Sequence, residues 1–137
     1  MAEYIELSFV LPASAEDIYH AWIDSNQHSE MTGGTAEIEA YAGGKFSAWD
    51  GYIAGKTLTL EPFRRIVQEW RTSEFPEQSE NSLLEIILEE EDEQTRVTLI
   101  HSEIPHGQGP KYEDGWRKHY FTPMRHYFRD KSQKRSD

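Results

Sequence analysis

Residues 115–128, GWRKHYFTPMRHYF, decide the fold. Trp116, Tyr120, Met124 and Tyr127 recur at three or four positions, the period of one helix face, and an aromatic stripe of that size must be buried against something. Pro123 falls inside the stripe. A proline there has no N–H to donate and collides with the preceding turn, so a kink or a break is expected.

Upstream of this helix the sequence reads mostly as strand. Ile5, Leu7, Phe9 and Leu11 alternate with Glu6 and Ser8, the pattern of a strand packed on one side. Pro12 ends its ladder, and Ser14 with Asp17 has the spacing of a capping box before a helix over 15–23. Asp24, Ser25 and Asn26 suit the start of a second short helical turn, after which Thr32, Gly33 and Gly34 return the chain to extended form. Strands are expected over 35–40, 45–49, 52–61, 64–72, 83–88 and 95–104, separated by Gly43-Gly44, the hairpin signal Asp50-Gly51 and Pro62-Phe63. Five acidic residues, Glu89 to Glu93, read as the solvated turn of the last hairpin, and His106 to Lys111 joins the last strand to the final helix. The expectation is an α+β domain in which a strongly bent antiparallel sheet carries the C-terminal helix across its concave face. A curved sheet and a straight helix cannot touch along their full lengths, so this arrangement can enclose a cavity.

Length and composition narrow the function. The 137 residues suit one domain, taken as 1–130, with the basic segment 131–137 as a flexible tail. There is no cysteine, which excludes disulfides, thiolate nucleophiles and Cys-ligated metals. With 14 Lys+Arg against 25 Asp+Glu the formal charge is −11, which repels nucleic acid and anionic lipid. The start lacks a basic leader before an apolar block, and no apolar run approaches the ~20 residues of a membrane span, so a cytoplasmic protein without stable membrane insertion is expected.

Motifs for chemistry are sparse. His119 and His126 lie about 10 Å apart along a helix, too far to share a metal ion, and no His-x-x-x-His pair is present. The acidic run lacks the glycine of a calcium loop. No G-x-S-x-G elbow marks a nucleophile, and neither Gly33-Gly34 nor Gly43-Gly44 continues into a phosphate- or dinucleotide-binding fingerprint. No catalytic residue, metal or cofactor is assigned.

Gly43-Gly44-Lys45-Phe46, Asp50-Gly51, Ile66 to Trp70-Arg71, Ile104-Pro105 and Gly115-Trp116 through His119-Tyr120-Phe121 together resemble one known domain. It is the helix-grip domain at the C-terminal end of the activator of the heat-shock-ninety chaperone ATPase, in the START-like superfamily. The resemblance runs from about Tyr4 to Phe128 and implies six or seven antiparallel strands wrapped around a long C-terminal helix. The superfamily includes lipid carriers and aromatic polyketide cyclases.

Three classes of function follow. In the first, a small hydrophobic or amphipathic ligand sits between sheet and helix, against Trp70, Trp116, Tyr120 and Met124, with Phe46 and Tyr52 as further wall. Core packing alone would employ the same side chains. Gly115 would let the helix approach the sheet. Strand parity puts Val97, Leu99 and His101 on one face, so Leu99 would line the cavity and His101 would be either a polar anchor at its end or a satisfied structural histidine; Glu103 continues that parity. In the second class the chain is a protein-interaction or chaperone-auxiliary module that uses its acidic exterior. The third, a cyclase-like or hydratase-like enzyme, would need ordered polar groups inside the cavity.

Overall fold

A computed structural model of the chain describes residues 2–135. Its strands are β1 (Glu3–Leu11), β2 (Glu37–Ile38), β3 (Lys45–Ala48), β4 (Ile53–Glu61), β5 (Arg65–Thr72), β6 (Ser82–Glu91) and β7 (Gln94–Ile104). They form one antiparallel sheet in the order β1-β7-β6-β5-β4-β3-β2. Two helices, α1 (Ala15–Ile23) and α2 (Ser25–Thr32), follow β1, and a continuous helical segment closes the chain: α3 (Gly109–Trp116), a π-turn (Arg117–Phe121) and α4 (Thr122–Arg135). This is the α+β helix-grip architecture expected from the sequence.

Local chemistry explains the short elements. The Ser14 hydroxyl accepts the Asp17 N–H at the start of α1, and the Asp24 carboxylate accepts the Gln27 N–H at the start of α2. Gly33, at φ 87°, ends α2 in the left-handed region. The strand expected over 35–40 shortens to the two residues of β2. The acidic run is mostly strand, not turn: β6 extends to Glu91, and only Asp92 and Glu93, both at positive φ, make the bend. Glu90 has a structural task as well, since its carboxylate accepts the Ala15 N–H at the start of α1.

Bulges bend the sheet. Register slips between Thr57 and Thr59 on β4 and between Glu3 and Ile5 on β1 each leave an unmatched residue that coils the ladder. At Gly55 the strands also pack unusually closely, because a Cβ there would stand 1.9 Å from the Glu69 carbonyl oxygen and 2.8 Å from the Phe46 ring. The core lies between the concave face and the helices, with Leu84, Ile86 and Leu99 from the central strands and Ile18, Trp116 and Met124 from the helices all buried.

The C-terminal helix departs from expectation in an informative way. It does not break at Pro123. The Thr122 N–H instead bonds the Arg117 carbonyl five residues back, so the wider turn precedes the proline and accommodates its missing donor. The wider turn also shifts the stripe. Trp116, Tyr120 and Met124 are buried as expected, but the next buried ring is Phe128, at 2% exposure, and Tyr127 sits at the margin. α4 takes in residues 131–135 of the expected basic tail, and residues 136–137 lie outside the described residues.

Candidate functional site

A cavity of about 480 Å³ lies between the end of the sheet and the helical segment. The β3–β4 turn contributes Trp49, β4 and the residue before it contribute Ile53 and Tyr52, and β5 contributes Trp70. α3 supplies Lys111, Tyr112, Asp114, Gly115 and Trp116, and the π-turn supplies His119 and Tyr120. The volume falls in the range of small-molecule sites, and six aromatic residues dominate its walls. The mouth is marked by Lys111, Asp114 and His119, all exposed.

The rings hold one another in place. Trp116 packs on Trp70 with ring centroids 5.5 Å apart and on Tyr120 at 4.8 Å, and Tyr112 meets Trp70 edge-on at 5.1 Å. Trp22 from α1 backs this cluster, 6.2 Å from Trp116 and 5.1 Å from Tyr120.

Most polar atoms of the wall are bound away from the cavity. The Tyr112 hydroxyl donates to Gln108 Oε1 at 2.7 Å and meets the Thr72 hydroxyl at 2.7 Å. Tyr52 donates to the Glu74 carboxylate, which Lys111 also engages. The Lys111 ammonium first, and the Tyr52 hydroxyl after it, hold the Glu74 carboxyl below the usual carboxylate range, while burial pushes the Tyr52 phenol up. Asp114 pairs with Lys118 at 3.0 Å. This cluster ties the β5–β6 loop, the start of β4 and α3 together beside the mouth.

Two buried histidines lie behind the wall, and their tautomers follow from their partners. The Trp116 indole can only donate, so His101 Nδ1, 3.1 Å away, accepts, and Nε2–H donates to Ser82 Oγ at 2.7 Å. Ser82 passes its own hydrogen to the Trp70 carbonyl. His28 has the opposite arrangement: Nδ1–H donates to the Trp22 carbonyl at 2.8 Å, leaving Nε2 to accept from the Tyr120 hydroxyl at 3.0 Å. Burial lowers the pKa of both, that of His101 to about 3, and pushes the Tyr120 phenol up.

The eight residues expected at the site separate into two sets. Tyr52, Trp70, Trp116 and Tyr120 line the cavity. Phe46, Leu99, His101 and Met124 are buried without lining it. The Phe46 ring covers Gly55; Leu99 pairs with Leu7 and Ile86 in the middle of the sheet; His101 is sealed beneath Trp116; and Met124 lies beyond the π-turn. His101 is therefore the satisfied histidine of the two alternatives, not a polar anchor. Glu103 does not continue its parity, because it sits at φ 59° in a bulge and is exposed, and Ile104 turns inward instead. Gly115 is not required for close approach, since a Cβ there would meet only His119 Cδ2 at 4.0 Å.

Trp49, Ile53, Lys111, Tyr112, Asp114 and His119 are the wall residues that sequence reasoning missed. Tyr112 was within reach, because it precedes Trp116 by four positions and extends the same stripe. Trp49 carried no such signal: it turns inward from a hairpin loop at φ 52°, where β-rich aromatic residues seldom sit. Gly34 leaves the space for its ring, since a Cβ at Gly34 would lie 2.5 Å from Trp49 Cε3. Among the described residues, no group of three or more His, Asp or Glu side chains is placed to hold a metal ion, and no helix is long and apolar enough to cross a membrane.

Comparison with known proteins agrees with this architecture. The chain is 27% identical over 124 residues to an activator of 90 kDa heat shock protein ATPase homolog from Dictyostelium discoideum, covering 90% of this chain and 32% of that protein. It is 26% identical over 124 residues to the corresponding homolog 1 from Homo sapiens, with 90% and 36% covered. The chain thus spans about a third of the length of these relatives. Among solved structures, an HSP90 activator from Plasmodium falciparum superposes with a TM-score of 0.81 at 22% identity, over 87% of this chain and 91% of that one. CalU16 from Micromonospora echinospora gives 0.77 at 23% identity, over 93% and 66%. At these identities the structural likeness is one of fold. A family model described as activator of Hsp90 ATPase homolog 1-like protein matches residues 12–129, and the chain belongs to that family.

Proposed function

We propose that this chain is a cytoplasmic carrier or sensor that binds a small, mainly apolar molecule in the cavity between sheet and helix. The aromatic-walled space of about 480 Å³ carries this reading, because it is open at its mouth and leaves mainly apolar ring surface facing water, which a bound apolar molecule would cover. Gly115 provides the test. It lines the cavity, its Cβ direction is open, and it lies inside a helix, where glycine is about 0.5–1 kcal/mol less favourable than alanine. Gly115→Leu should therefore fill the mouth without unfolding the protein. The expected outcome is Nile red fluorescence enhancement in the wild type, lost in Gly115→Leu, with a thermal midpoint unchanged or raised. Equal enhancement in both proteins would place the dye elsewhere and overturn the reading.

A second reading, a chaperone-auxiliary module, is favoured by the family and by the relatives' names. On this reading the acidic exterior engages a protein partner such as the 90 kDa heat shock protein, and the helix-grip domain acts as a docking unit.

A further inference from the structure

We infer that the cavity takes a planar fused-ring aromatic molecule bearing one neutral hydroxyl, its rings among Trp49, Trp70 and Trp116 and its hydroxyl against the His119 imidazole at the mouth. This deepens the cavity-binding reading and rests on it.

The walls set the shape of the ligand. Rigid rings meeting at 39° and 81° leave flat surfaces and edges, which a fused-ring ligand can stack on and abut without freezing rotors of its own. A flexible aliphatic chain would fill the same space only by giving up rotamer freedom.

Few polar groups of the wall are left for a ligand. The hydroxyls of Tyr52, Tyr112 and Tyr120 and the Trp116 indole N–H are all bonded to protein partners. Lys111 is engaged by Glu74 and Asp114 by Lys118, partners that do not line the cavity. Two nitrogen-bearing side chains of the wall have no hydrogen bond among the described residues, the indole of Trp70 and the imidazole of His119. The Trp49 nitrogen is sealed from the cavity beside the Tyr120 hydroxyl, so Trp49 offers the space its ring and not its N–H. The imidazole is the one group of the two able both to donate and to accept, which matches a hydroxyl. His119 is held edge-on to Trp49, ring centroids 5.3 Å apart, so the hydrogen-bonding group and the aromatic wall are adjacent. A neutral substituent fits better than a carboxylate, because Lys111 and Lys118 are already committed to Glu74 and Asp114 and leave no counter-ion free at the mouth of a chain that carries −11 overall.

Titration calorimetry with β-naphthol, naphthalene and decanol, together with NMR of the tryptophan indole N–H resonances, tests this. β-Naphthol should bind about tenfold more tightly than naphthalene, the value of one hydrogen bond of ordinary strength, and should shift the Trp49 indole resonance. His119→Leu should abolish the difference in affinity between β-naphthol and naphthalene, and His119→Gln, which keeps a donor and an acceptor, should restore most of it. Equal affinity for the two aromatics, insensitivity to His119→Leu, or binding of decanol alone in a manner blocked by Gly115→Leu would overturn the inference and leave the cavity-binding reading standing. Binding of none of the three would overturn both.

Discussion

His101 shows how a single residue can look functional in sequence and be structural in three dimensions. It is fully buried, accepts from Trp116, donates to Ser82 and is neutral, with a pKa lowered by burial to about 3. In the unfolded chain an ordinary histidine titrates near 6.5. The unfolded state therefore binds the extra proton between these values, so the stabilisation from neutral His101 is complete above about pH 6.5 and is lost as pH falls toward 3, by at most about 1.4 kcal/mol per pH unit. His28, lowered by burial in the same sense, adds to the slope. Urea unfolding should accordingly give a stability that declines from pH 7.5 to pH 5, and His101→Gln should flatten the decline while lowering stability at pH 7.5. An unchanged slope in the variant would show that His101 is not the group responsible.

At the level of the element, the π-turn matters most. It lets the chain remain helical across Pro123 and carries the buried stripe from Met124 to Phe128, and it also places His119 and Tyr120 on the cavity wall. Tyr120 is fixed there by His28 on α2, and Phe121 stacks on Phe9 of β1. These contacts on both sides of the turn hold its geometry independently of the proline. Pro123→Ala is therefore expected to change stability by less than about 1 kcal/mol in urea unfolding, although removing a proline from an ordinary helix interior gains about 3 kcal/mol. A gain approaching the larger figure would mean that the proline strains the helix and that the wider turn does not relieve it.

For the molecule as a whole, the interior and the exterior predict opposite responses to salt. The cavity's walls are apolar rings and its charged neighbours are already paired, so occupancy by Nile red should be the same at about 50 mM and about 500 mM NaCl, where the Debye length falls from roughly 14 to roughly 4 Å. Association with the 90 kDa heat shock protein through an exterior carrying −11 should instead be retained in a pull-down at the lower salt and lost at the higher. Failure to retain the chaperone at either salt would overturn the second reading without touching the first.

The elements and their class are legible in local pattern. The alternation of Ile5 to Leu11, the Ser14 cap, Asp50-Gly51 and the aromatic spacing from Trp116 to Met124 are each set by physics acting over a few residues, so they could be read directly. Which of the buried residues face open space is set by contacts between distant segments. Tyr120 meets His28 across 92 positions of sequence, His101 disappears beneath Trp116, and Trp49 turns inward because Gly34 makes room for its ring. Strand parity and helical period assign a side chain to a face. Whether that face ends against another ring or at a cavity depends on packing between distant segments, which no local period records.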